Sequence, residues 1–125
     1  MAAPNIVGVT TITGKTGAYS LADTNATTIL NNAASSGHVY KVNTIIVAND
    51  DGTNNADITI TYHPEDDAGG TGIQLASTIQ VVADSTLVVL DKASSIYLEE
   101  DKSLTATASA GGDLNVFVSY EDIES

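Results

Sequence analysis

The chain has no cysteine, no tryptophan and no arginine, and only one phenylalanine, one methionine and two prolines among 125 residues. Without cysteine there is no disulfide, no thiolate zinc site and no thiol nucleophile, and the redox compartment stays open. Five tyrosines and the single phenylalanine are dispersed, so stacking platforms for sugars are thin. Four lysines stand against sixteen acidic residues, a net charge of −12. That balance repels phosphate backbones and anionic membranes at long range. Neither nucleic acid nor a membrane is an expected partner. No run approaches membrane-spanning length. The start, MAAPNIVGVTTITGK, has no basic region followed by a long apolar one, so a secretory signal is not expected, and the chain is expected to be cytoplasmic or released by a route other than secretion.

What is present is alternation. At 42% hydrophobic residues one packed domain over 1–125 is affordable. In DITITYH, Ile58, Ile60 and Tyr62 alternate with Thr59, Thr61 and His63. In IQLASTIQV, Ile73, Leu75, Ile79 and Val81 fall on one face. SLTATAS sets Leu104, Ala106 and Ala108 against threonines, and LNVFVSY sets Leu114, Val116, Val118 and Tyr120 against Asn115, Phe117 and Ser119. Period 2 in runs rich in Thr, Val, Ile and Tyr marks strands with one buried face. TNATTILNNAA around Ile29 reads as a strand in preference to a helical turn. Clusters of Gly, Asn, Asp and Ser punctuate the runs at sandwich-like spacing. The expected fold is all-β: an antiparallel two-sheet sandwich of jelly-roll or related Greek-key type. Residues 1–17 are expected to form an extended N-terminal arm or strand. PEDDAGGTG, Pro64 to Gly72, is expected to protrude as a loop.

Acidic residues disfavour strand interiors and tolerate turns. Asp50, Asp51, Asp84, Asp91, Glu99, Glu100, Asp101 and Asp113 all lie at strand ends, where they are expected to form a solvated rim. VANDDGTNNAD fails as a helix-flanked calcium loop: aligned on Gly52, its first position is Val47 and its twelfth Ile58. A looser metal site on Asp50, Asp51 and Asp57 is a secondary candidate; the expectation is no metal and no cofactor. His63-Pro64-Glu65-Asp66-Asp67 gathers ligand types, but neighbours in an extended loop diverge. Paired carboxylates for glycoside hydrolysis need one carboxyl held against an apolar or aromatic wall, and no such wall is evident. GKTG, Gly14 to Gly17, lacks the upstream glycine of a phosphate loop, and no nucleophile elbow or dinucleotide fingerprint occurs. No catalytic residues are assigned, and no enzymatic activity is expected.

Some strands are apolar on both sides. With Tyr40, Val42, Ile46 and Ala48 toward the core, Ile45 and Val47 point outward. In TLVVLD, Leu87 and Val89 oppose Val88 and Leu90, and Phe117 leaves the polar side of its strand. Strands of this kind are covered on both faces, either by the N-terminal arm or by another copy of the protein. Ile45, Val47 and Phe117 are therefore the expected interface residues.

Val39-Tyr40-Lys41-Val42-Asn43 with Val47-Ala48-Asn49, then Leu90-Asp91-Lys92, Tyr97 to Asp101, Thr107-Ala108-Ser109, Asp113-Leu114 and Val118 to Glu121 form a further pattern. It resembles small virion structural proteins of tailed bacteriophages, especially those of marine cyanobacteria. The resemblance implies a β-sandwich accessory subunit of the virion: a capsid decoration or cement protein, or a neck or tail component. Its implied partners are other virion proteins and copies of itself, with a trimer as the implied assembly. It transfers no functional residues. A carbohydrate- or calcium-binding adhesin module is the alternative reading.

Overall fold

The computed structural model describes residues 6–9 and 11–124. Nine strands follow in order: β1 (Thr11–Ser20), β2 (Thr27–Asn32), β3 (His38–Asn49), β4 (Ala56–His63), β5 (Ile73–Val81), β6 (Thr86–Leu90), β7 (Ile96–Leu98), β8 (Lys102–Ala108) and β9 (Leu114–Glu124). A single 3-10 turn at Lys92–Ser94 separates β6 from β7, capped by Asp91, whose side chain accepts from the Ser94 amide.

Two antiparallel sheets pack face to face. One runs β1-β9-β3-β6, with β7 continuing beside β3; the other runs β2-β8-β4-β5. Taking β6 and β7 as two halves of one interrupted strand leaves eight strands in a double-sheet jelly roll. Every pair of consecutive strands except β4/β5 and β6/β7 crosses from one sheet to the other. Of the expected N-terminal arm, residues 1–5 and 10 lie outside the described residues. From Thr11 the chain is an edge strand on β9.

The core follows from the alternation. Ile58 and Ile60 of β4, Leu104, Ala106 and Ala108 of β8, and Leu114, Val116 and Val118 of β9 are all buried between the sheets. Strand β3 departs from the expected register. Pairing with β9 runs evenly from His38 to Val42, skips Asn43, and resumes at Thr44. A bulge adds one residue and reverses the facing of everything after it. Val42 is inward, but so are Ile45 and Val47, both fully buried, while Ile46 and Ala48 turn outward. The expectation that Ile45 and Val47 form an outer surface is thus overturned.

Strand β5 departs too. Its pairing with β4 shifts register on either side of Ile60, and Thr78 takes a left-handed φ of 45°. Only Ala76 and Val81 are buried; Ile73, Leu75 and Ile79 stay exposed because β5 is the sheet edge, beyond the cover of the facing sheet. Ile73 and Leu75 line an apolar groove of about 260 Å³ with Tyr62, Ile96 and Tyr97, at the open side between β5 and β7.

The loop from Pro64 to Gly72 does not protrude. Ser103 Oγ donates to the Glu65 carbonyl and accepts from the Ala68 amide, Lys102 Nζ donates to the Pro64 carbonyl, and the Asp66 and Asp67 amides donate to Asp101 and Asn31. The segment lies flat on the outer side of β8 and β4, which explains why Ser103 and Thr105 are buried although they face away from the core. Gly72 permits this approach: a Cβ there would come within 2.5 Å of Thr61 Cγ2.

Candidate functional site

Strand β9 alternates strictly from Leu114 to Val118. With Leu114, Val116 and Val118 in the core, Phe117 must leave the opposite face. It is 37% exposed. Its cross-strand neighbours come from three other segments: Ala18 of β1 pairs with Phe117, Phe117 with Ile46, and Ile46 with Val88 of β6. The result is an apolar row crossing β1, β9, β3 and β6. It includes Ile46, placed outward by the bulge that buried Ile45.

The flanking rows are small or uncharged. Ser20, Asn115, Ala48 and Thr86 lie on one side, and Thr16, Ser119 and Thr44 on the other. Charge returns at the margins, with Asp50 accepting from Asn115 Nδ2 at one end and Glu121 accepting from Asn43 Nδ2 at the other. On a chain of net charge −12, this neutral face is the feature suited to meet another protein. Interface cores are depleted in charge and enriched in aromatic side chains.

A second constellation sits on the inward side of the same sheet. Lys15 Nζ lies 2.8 Å from Asp122 Oδ2, His38 Nδ1 lies 2.6 Å from Asp122 Oδ1, and His38 Nε2 lies 3.1 Å from Glu124 Oε2. Tyr40 and Tyr120 pack beside it as a tilted pair, ring centroids 5.2 Å apart and planes at 56°. The imidazole stands between the carboxylates, so they do not converge with it on a common point. Burial pushes the Asp122 carboxyl up, but hydrogen bonds from Lys15 and His38, with their charges, outweigh it and hold the group below the usual carboxylate range. This cluster ties β1, β3 and β9 together.

At the opposite end, the carboxylates organise loops. Asp51 accepts from the amides of Thr53 and Asn54, and those bonds lower its pKa. Asp113 is raised by desolvation first and then by the charges of Asp51 and Asp50. Back on the His38 side, Glu100 and Asp66 accept from the amides of Gly37 and Ala34. The expected acidic rim is therefore partly a set of turn-closing acceptors. Asp57 is the second residue of β4, opposite Gln80, and its amide donates to Ser109 Oγ. Among the described residues no group of three or more His, Asp or Glu is arranged to hold a metal ion.

These charges predict a two-signed response to pH. Asp122 and Asp51, with lowered folded pKa, contribute stability that is present above the unfolded carboxylate value of about 4 and is lost as pH falls through their folded values. Asp113, with a raised folded pKa, acts oppositely, and the folded state gains as pH falls through that value toward about 4. Lower net charge also relieves self-repulsion. A thermal-midpoint series from pH 7 to 2.5 should rise in mild acid and fall below about pH 4. Asp122→Asn should flatten the falling limb; an unchanged limb would refute this assignment.

No family model matches the chain, and no curated protein matches it. Solved structures do. A protein of the disulfide-linked endospore appendage pili of Bacillus shares 18% identity at a TM-score of 0.53, over 91% of this chain and 88% of that one. A chain of the T13 infectious bursal disease virus (IBDV) particle gives a TM-score of 0.55 at 8% identity, over 93% of this chain and 32% of that one. A chain of the cyanophage Pam1 capsid asymmetric unit is 15% identical over 100% and 93%, at a TM-score of 0.37. The likeness is one of fold. The chain spans about a third of the viral particle protein and nearly the whole of the pilus protein.

Sequence reasoning singled out Phe117 but missed its row. Ala18, Ile46 and Val88 lie up to 99 residues from Phe117 in sequence (117 − 18 = 99) and join its row only through strand pairing, so no local signal marks them as a set. The bonds joining Lys15 and His38 to Asp122 span separations of 107 and 84 residues and are equally silent in the sequence.

Proposed function

We propose that the chain is a non-enzymatic structural subunit of a phage virion, a capsid decoration or cement protein that works through protein–protein contacts. The observation that carries this reading is the neutral apolar row Ala18–Phe117–Ile46–Val88 on an otherwise strongly acidic molecule. The double-sheet fold shared with a virus particle protein supports it, as does the sequence resemblance to phage accessory subunits. Partners are other virion proteins, either major capsid or neck and tail subunits. Burying the part of Phe117 that is still exposed contributes on the order of 1 kcal/mol, about fivefold in affinity, and a carboxylate in its place would also have to give up its water.

Phe117→Asp is expected to keep its β-rich circular dichroism and to lose attachment by at least about tenfold, read by co-sedimentation with particles of the phage that encodes the chain. Undiminished attachment of a folded mutant would remove the row from the interface. Failure of the unmutated chain to attach at all would overturn the virion reading. The pilus likeness supports a second reading, a filament subunit. Regular fibres of the purified chain in electron micrographs would favour it, although with no cysteine such fibres could not be disulfide-linked.

A further inference from the structure

Among the described residues each sheet ends in strands with one unpaired backbone edge, and the edges differ in kind. Strand β5 carries two register shifts and a left-handed threonine. Strand β2 has six residues and a shift between Thr28 and Leu30. Strands β6 and β7 have five and three residues and are parted by the 3-10 turn. Shortness and bulging are how natural proteins blunt an edge against pairing with another chain. Strand β1 has neither. It runs ten residues, Thr11 to Ser20, in unbroken register with β9, without proline, and among the described residues it pairs with no strand on its other side. Its one charge, Lys15, is bonded to Asp122 rather than set out as an edge guard.

We infer that the free edge of β1 pairs antiparallel with β1 of a second copy of this chain, joining the two five-stranded sheets into one. The sequence of β1 suits itself as partner. A two-fold axis normal to the sheet keeps both outer faces on one side, and facing residues in an antiparallel pair share a face. The register must then centre on a residue. Centring on Lys15 would oppose two like charges, which is destabilising. Centring on Thr16 opposes Thr16 to Thr16, Lys15 to Gly17, Gly14 to Ala18, Thr13 to Tyr19 and Ile12 to Ser20. No like charges meet, and no acidic residue lies on the strand.

The pairing has a consequence for the neutral face. Four strands about 4.8 Å apart, over the five residues from Asn115 to Ser119, give roughly 300 Å². That is well below the ~800 Å² per partner of a stable interface. Two copies joined at β1 present about twice that area on one continuous surface. This last step rests on the proposed attachment face; the β1 pairing does not. The symmetry it sets is two-fold, in place of the trimer implied by the resemblance.

The absence of cysteine makes the test clean. Facing Cα atoms in an antiparallel pair lie about 4.5–5.5 Å apart, within disulfide reach. Under mild oxidation Thr16→Cys should convert mostly to a covalent dimer on non-reducing gels. Thr13→Cys, which faces Tyr19 of the second copy in this register, should form no cross-link and run at monomer size on the same gels. The unmodified chain should approach twice the monomer mass in sedimentation as concentration and salt rise, and Thr16→Lys should stay at monomer mass with unchanged circular dichroism. Phe117→Asp should not alter any of these results, which separates this inference from the attachment reading. A folded Thr16→Cys that resists cross-linking, or preferential cross-linking of Thr13→Cys, would overturn it. So would a chain that stays monomeric at every concentration.

Discussion

Ile45→Ala is expected to lower the unfolding free energy by about 2–5 kcal/mol, whereas Ile46→Ala should cost about 1 kcal/mol. The two residues are adjacent, chemically identical and in the same strand, so propensity cannot separate them. The bulge at Asn43 does. It places Ile45 in the core between Val42 and Val47, fully buried, and leaves Ile46 half-buried between Phe117 and Val88 on the outer face. Removing Ile45 opens a cavity that two packed sheets cannot close; removing Ile46 trims a surface row. Chemical denaturation of both mutants with a common slope measures the difference directly. If Ile46→Ala proves the costlier, β3 runs without its bulge and the outer row disappears with it. For a domain whose whole stability is about 5–15 kcal/mol, the predicted loss at Ile45 is a large fraction.

Asn49→Ala should destabilise by about 3 kcal/mol, despite removing only a small polar side chain. Asn49 closes β3 and is 3% exposed. Its Nδ2 donates to the carbonyls of Val81 and Asn54, at 2.9 and 3.0 Å, and its Oδ1 accepts from the Asp51 amide. The alanine would leave two carbonyls and an amide without a partner, each costing about 1–3 kcal/mol where water cannot reach it. Asn32 plays the matching part at the other end. Its Nδ2 donates to the carbonyls of His38 and Leu98, and Ser36 donates to its Oδ1. Both asparagines tie the end of one strand to segments of the opposite sheet. Asn49→Asp, which at neutral pH sets a buried carboxylate against two carbonyl oxygens, should lower the thermal midpoint at least as far as the alanine does. An Asn49→Ala midpoint equal to that of the unmodified chain would mean the staple carries no load.

Local patterning reaches a definite distance into this structure. A strand's side chains alternate because of its own backbone, so Leu104, Ala106 and Ala108, or Leu114, Val116 and Val118, declare their facing without any neighbour. The all-β class, the two-sheet sandwich and the outward aspect of Phe117 follow from such runs. A bulge lies outside that logic, because its cause is the pairing partner. Nothing within VYKVNTIIVAN announces that Asn43 will be skipped against β9, and one skipped residue exchanges Ile45 for Ile46 on the outer face. The same holds for β5, where edge position leaves Ile73 and Leu75 in water although their period suits a core.

The turn residues were legible as turns but not as to what they do there. Asp51, Asp66 and Glu100 sit where acidic residues solvate cheaply, yet their oxygens are taken by loop amides that only the folded chain brings within reach. Asn32 and Asn49 read as strand ends and are inter-sheet staples. Composition by itself determined a neutral or apolar contact surface as the only sort this acidic, cysteine-free chain could offer a protein partner without a compensating basic surface. Where that surface lies was decided by the tertiary structure, because Ala18, Phe117, Ile46 and Val88 become neighbours only when four strands distant in sequence share one sheet.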